Sequence, residues 1–134
     1  MNLAVALAIA VTEILDEDAL YRRLLPYYVK AGGRVSSAAY KRRGKVPESE
    51  ISVDLARLTT PEETLRRAPS SSFALGSILT AVPRRLGFEV QHDPCPPQEP
   101  DNYAHSLIIG ENDAEKCIIL AEETTVVYQP SRPV

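Results

Sequence analysis

The sequence predicts an α+β fold, with a single mixed or mainly antiparallel sheet of four to six strands and helices packed on one side. Three observations lead there. Residues 51–57 and 88–92 alternate apolar and polar side chains with a period of two, the signature of a half-buried strand. Residues 73–79 and 105–110 are apolar runs of strand length, one broken and one closed by glycine. Helix-start signals fall between these runs, at Thr60-Pro61 and at Asn112-Asp113.

In chain order, residues 3–15 are dominated by alanine and leucine, both good helix formers. An apolar helix is expected within residues 1–18, buried or packed on a partner. A second helical stretch is expected over 16–25, because Leu20, Leu24 and Leu25 share a helical face and Pro26 forbids continuation. Gly32-Gly33 marks a turn. Residues 34–40 read as a strand, and 41–50 as an exposed charged connection. In the next strand Ile51, Val53 and Leu55 point one way, and Ser52 and Asp54 the other. Thr60, Pro61 and Glu63 form a capping-box start for a helix that stops before Pro69. A strand over 73–79 precedes a short helix at 80–86, capped by Thr80 and stopped by Gly87. Residues 93–102 hold four prolines and are a stiff loop. The strand at 105–110 leads into a helix through about Glu123, then a short edge strand at 124–128 and a flexible tail at 129–134.

Length and composition bound the function. A chain of 134 residues favours one domain, 1–134, large enough to bury a real core. The net charge of −3 disfavours a generally basic nucleic-acid binder. Two cysteines make no disulfide framework. The nine apolar residues 3–11 are fewer than the roughly twenty a membrane helix needs. No positive side chain precedes them as a secretory signal requires. A cytoplasmic protein without a membrane span is therefore expected.

Polar groups on strands are the candidates for chemistry. Nucleophilic catalysis needs a hydroxyl, a base and a group that orients the base. Ser36 or Ser37, His105 and Asp54 supply those types if their segments are neighbours. In that reading His105 is the general acid or base, Asp54 its partner or a substrate anchor, and Ser37 a hydroxyl contact. The alternative is structural: Ser37 and Ser52 pair across strands, and Asp54 caps or bridges to an arginine. There is no strained Gly-x-Ser-x-Gly elbow. His92, Cys95, His105 and Cys117 have the side chains for zinc but only one tight pair, so no metal is expected. With no Gly-rich phosphate loop or dinucleotide fingerprint, no cofactor is expected either. Lys41, Arg42, Arg43 and Lys45 form a basic run that could touch phosphates, but only Tyr40 is interleaved and nearby glutamates neutralise it. The stiff loop is a rim that could present Asp101, Asn102 and Tyr103 to a ligand or partner, with Arg34 as a further binding residue.

Several short patterns recur together: Ser36-Ser-Ala-Ala-Tyr40, Ser52-Val-Asp54, Thr60-Pro-Glu-Glu63, Leu86-Gly-Phe-Glu-Val90, Asp93-Pro94 and Asn102-Tyr-Ala-His105. The ensemble, spanning about residues 20–121, resembles a group of short bacterial α+β proteins to which no activity attaches. The leading expectation is a small bacterial accessory protein without catalytic activity. It would act through protein binding or self-association, by its N-terminal helix or the 93–103 loop. A small hydrolase or group transferase using His105 and Asp54 is the alternative, and nucleic-acid contact through residues 41–45 the third.

Overall fold

A computed structural model describes residues 10–41 and 48–130. Among these residues, one sheet is built from β1 (Ala19–Leu24), β2 (Glu48–Leu55), β3 (Ala74–Leu79), β4 (Glu89–His92), β5 (His105–Glu111) and β6 (Thr125–Tyr128). The spatial order is β4-β5-β2-β1-β3-β6, and every neighbouring pair is antiparallel. Among the same residues three α-helices accompany it, α1 (Pro61–Arg66), α2 (Ala81–Arg85) and α3 (Ala114–Glu122). The α+β class and the antiparallel sheet are those the alternation pattern predicts.

The alternation sets the core. Leu20 and Leu24 of β1, Ile51, Val53 and Leu55 of β2, Ile78 of β3, Val90 of β4 and Ile108 of β5 are all buried in one cluster. Cys117, Leu120 and Ala121 of α3 close over it, together with Ala39 and Tyr40. Each fully buried leucine contributes roughly 1.5–3 kcal/mol. Leu20→Ala or Leu24→Ala is therefore a change of about 2–5 kcal/mol. Asp113 starts α3 by accepting a hydrogen bond from the Lys116 amide, and Thr60 does the same for α1 with the Glu63 amide. Only half of the expected capping box forms, because the Glu63 carboxylate turns to Arg66 instead. Gly87, at φ +94°, stops α2 where an L side chain would be strained. Thr80 does not cap α2: its hydroxyl donates to the Asp18 carbonyl.

Two expected elements are different. Residues 16–25 are not helical: a turn at Asp16-Glu17 leads into β1, paired with β3 over its whole length from Ala19↔Leu79 to Leu24↔Ala74. The spacing of four between Leu20 and Leu24 suits a helical face and equally an even-numbered strand position, and sheet pairing decides it. The acidic turn docks on α2, with the Thr80 and Ala81 amides donating to the Asp18 and Asp16 carbonyls. Residues 34–40 are not a strand. One bridge, Val29↔Val35, is followed by a 3₁₀ turn, Ser37–Tyr40, which Ser36 caps by accepting from the Ala38 amide. Serine competes for the backbone here and alanine is a poor strand former. The expected helix in residues 1–18 falls mainly outside the described residues, and residues 10–15 are irregular. The basic run falls largely outside them as well.

The second face of the sheet differs along its length. At one end α1 and the proline-rich loop cover it, burying Leu75, Ala104, Asp54, Asn102 and Thr64. Toward the other end it is uncovered among the described residues, with Leu79 and Val127 about half exposed. Among the described residues, no helix is long and apolar enough to cross a membrane.

Candidate functional site

The covered end of the second face carries two polar networks, and strand register explains both. Asp54 on β2 lies directly opposite His105 on β5, and Ser52 lies opposite Leu107. Residues paired this way share a face, so Ser52, Asp54 and His105 all project away from the aliphatic core. The β4–β5 ladder ends at His92↔Ser106, and the Asp93 amide donates to the His105 carbonyl. Asp93 is thereby delivered to the side of the His105 ring.

The first network is centred on His105, which is 1% exposed. Its Nδ1 lies 3.1 Å from the Asp93 Oδ2 atom and 3.2 Å from the Asp93 carbonyl oxygen. Both Asp93 atoms are acceptors, so Nδ1 carries the proton and donates to them. In the neutral ring Nε2 then has a free lone pair. It faces the Ser52 hydroxyl at 3.3 Å. The order is carboxylate, imidazole, hydroxyl: Asp93 orients the ring, His105 is placed to accept a proton, and Ser52 holds the proton to be taken. Ser52 is half-buried, and the Asp93 side chain is 43% exposed. The buried ring thus links two groups that each meet solvent.

The second network is centred on Asp54, which is 2% exposed. Its Oδ2 accepts from the Thr64 hydroxyl at 2.8 Å, and its Oδ1 from the Asn102 side-chain amide at 2.8 Å. The same amide also donates to Glu99 Oε2 at 3.0 Å, and Glu99 Oε1 pairs with Arg23 at 2.7 Å. One neutral amide bridges two carboxylates, and the Arg23 guanidinium neutralises the outer one. Burial pushes the Glu99 carboxyl up, but the bonds from Asn102 and Arg23 outweigh it and hold the group below its ordinary value. With both oxygens engaged by neutral donors, Asp54 anchors α1 and the loop onto β2.

The expected residues therefore separate. His105 and Asp54 are neighbours on one face, but each is engaged by different partners. Ser36 and Ser37 do not join them, because the 3₁₀ turn carries them to a groove beside α3. Among the rim residues, Asn102 faces inward. Tyr103 packs edge-on against His92 at 4.9 Å and donates its hydroxyl to the Ala10 carbonyl. Asp101 is exposed beside Arg66 and Arg67. Arg34 is exposed and lines the groove beside α3.

The four zinc-type side chains do not converge. His92 projects from the opposite face to His105, with Nδ1 accepting from the Thr12 amide and Nε2 donating to the Tyr103 carbonyl. Cys117 is on the core side of α3, its thiol donating to the Tyr40 carbonyl and pushed up by burial. Among the described residues no three or more His, Cys, Asp or Glu are grouped to hold a metal ion. A cleft of about 890 Å³ lies between residues 11–17 and β4 and holds neither Ser52 nor His105.

Sequence reasoning gives Ser52 only a cross-strand pairing and Asp93 no role. Ser52 is two residues before Asp54 on the same strand face, and Asp93 directly follows a strand. What was missing was the pairing of β4 with β5 and of β5 with β2. Comparison with protein-family models, curated proteins and solved structures finds no match.

Proposed function

We propose that this protein is a small serine hydrolase acting on esters, with Ser52 as nucleophile, His105 as general base and acid, and Asp93 as the group that orients it. The observation that carries the reading is the continuous Asp93–His105–Ser52 relay, with contacts of 3.1 and 3.3 Å through the two nitrogens of one buried ring. Relays of this kind are recognised by geometry and role, and contacts in unliganded sites are commonly looser than in the working complex.

The Ser52 hydroxyl oxygen attacks the ester carbonyl carbon while His105 Nε2 takes the hydroxyl proton, and Asp93 stabilises the imidazolium. His105 returns that proton to the leaving alkoxide, which departs as an alcohol and leaves an acyl-serine. Water gives a proton to His105 as its oxygen attacks the acyl carbon. The carboxylic acid departs and Ser52 regains its proton. Ser52 stands on a regular strand without the strained elbow that sharpens a serine nucleophile. Slow turnover of esters with good leaving groups is accordingly expected.

The test is hydrolysis of p-nitrophenyl acetate by the full chain and its variants. Wild type should exceed the uncatalysed rate, and Ser52→Ala and His105→Gln should fall to it. Asp93→Asn should retain part of the activity, because the Asp93 backbone carbonyl still accepts from Nδ1. Activity unchanged in Ser52→Ala, or wild type no faster than buffer, overturns the proposal. A non-catalytic reading, in which the protein works by contact with another chain, is favoured by a separate surface on α3.

A further inference from the structure

We infer that α3 and residues 30–41 form a two-fold contact surface through which two copies of this chain associate. Ile118, in the middle of α3, is 48% exposed although its neighbours Cys117, Leu120 and Ala121 are buried in the core. Two grooves, of about 580 and 640 Å³, meet at Ile118 and Ser37, which line both. In the first, Lys41 stands on the wall made by the turn and Asp113 on the wall made by the helix. In the second, Lys30 and Arg34 stand on the turn side and Glu122 on the helix side. Among the described residues none of these five charges makes an ion pair.

The charge arrangement selects the occupant. A two-fold contact places the same patch against itself, so each patch must carry both members of every pair on opposite sides of the axis. An axis in the contact plane that runs along α3 through Ile118 stacks this side chain on its counterpart, sets the two α3 helices parallel and lays the turn wall of each copy on the helix wall of the other. Lys41 then meets Asp113 of the second copy. Lys30 and Arg34 meet Glu122 of the second copy. The apolar centre becomes buried, and cations meet carboxylates at the rim. Rim pairs of this kind set orientation and salt dependence more than affinity, so Ile118 is the anchor. This surface lies on the far side of the sheet from Ser52 and is independent of the catalytic reading. It also differs from the N-terminal and 93–103 segments that the sequence suggests for self-association.

Sedimentation equilibrium of the full chain across the micromolar range tests it. The expected result is a dimer that dissociates as salt rises. Ile118→Asp should weaken it by about tenfold or more, the scale of losing one buried anchor. Arg34→Glu and Glu122→Lys should each weaken it, and the double variant should recover association. All these positions are exposed, so the variants should keep wild-type circular dichroism. A chain that stays monomeric throughout overturns the inference, whatever other protein it captures. So does a dimer indifferent to Ile118→Asp, or one weakened by both single charge reversals but not rescued by the pair.

Discussion

Removing the Asp54 carboxylate should be among the most destabilising single changes at the covered end of the sheet. Asp54→Ala deletes two charge-assisted hydrogen bonds, each 2.8 Å long, from a residue only 2% exposed. The Thr64 hydroxyl loses its acceptor, and the Asn102 amide keeps only Glu99. Leaving a buried donor unpaired costs about 1–3 kcal/mol, and breaking a buried charged network about 3–5 kcal/mol in all. Relief of the desolvated charge offsets a part, so a net loss of about 3–4 kcal/mol is expected. At about 2.1 cal/mol/K per residue, the 134-residue chain has an unfolding entropy of roughly 0.28 kcal/mol/K. The melting temperature should then drop by roughly 10–15 °C. Urea unfolding gives the free energy directly, with Asp101→Ala, an exposed aspartate nearby, as a control expected within about 0.5 kcal/mol of wild type. Asn102→Ala combined with Asp54→Ala should cost less than the sum of the two, since they share one bond. A loss below about 1 kcal/mol for Asp54→Ala would refute the reasoning that this carboxylate anchors α1 and the loop.

Three further outcomes are expected. Glu99 is held below its ordinary value in the folded protein, so its contribution to stability is present above the unfolded carboxyl value and lost as pH falls through the folded one. Glu99→Gln should flatten the decline in urea midpoint between about pH 5 and about pH 3, and an unchanged slope counts against the Arg23–Glu99–Asn102 chain. Gly76→Ala puts a methyl 2.6 Å from Thr124 Cγ2 and 3.1 Å from Leu24 Cδ1, costing about 1–3 kcal/mol, and Thr124→Ser in the same chain should recover part of it. Tyr40→Phe removes the donor that meets Thr124 Oγ1 at 2.7 Å inside the core and should cost about 1 kcal/mol by thermal unfolding.

Much of the fold is legible from local pattern, and the site much less so. The alternation at residues 51–55 places Asp54 and Ser52 opposite the core without any tertiary knowledge, and the Thr60 and Asp113 caps are local chemistry. Residues 16–25 misread because a spacing of four fits both periods, and only the six-residue pairing of β1 with β3 breaks the tie. Ser36 and Ser37 misread because serine before two alanines can cap a turn as readily as it sits in a strand. The relay depends on three chain segments whose adjacency follows from strand order, and strand order is not written in any window of the sequence. Nothing local distinguishes Ser52 from Ser37, or Asp93 from Asp54, as partners for His105.

The most direct measurement is the site of covalent labelling by an alkyl fluorophosphonate, read by intact mass and peptide mapping on the full chain. A serine activated by a relay attacks phosphorus and expels fluoride, whereas ordinary surface serines do not. One adduct on Ser52, absent from His105→Gln, is the predicted result. No adduct, or an adduct carried by a different serine, would contradict the assignment of Asp93, His105 and Ser52 as a working unit.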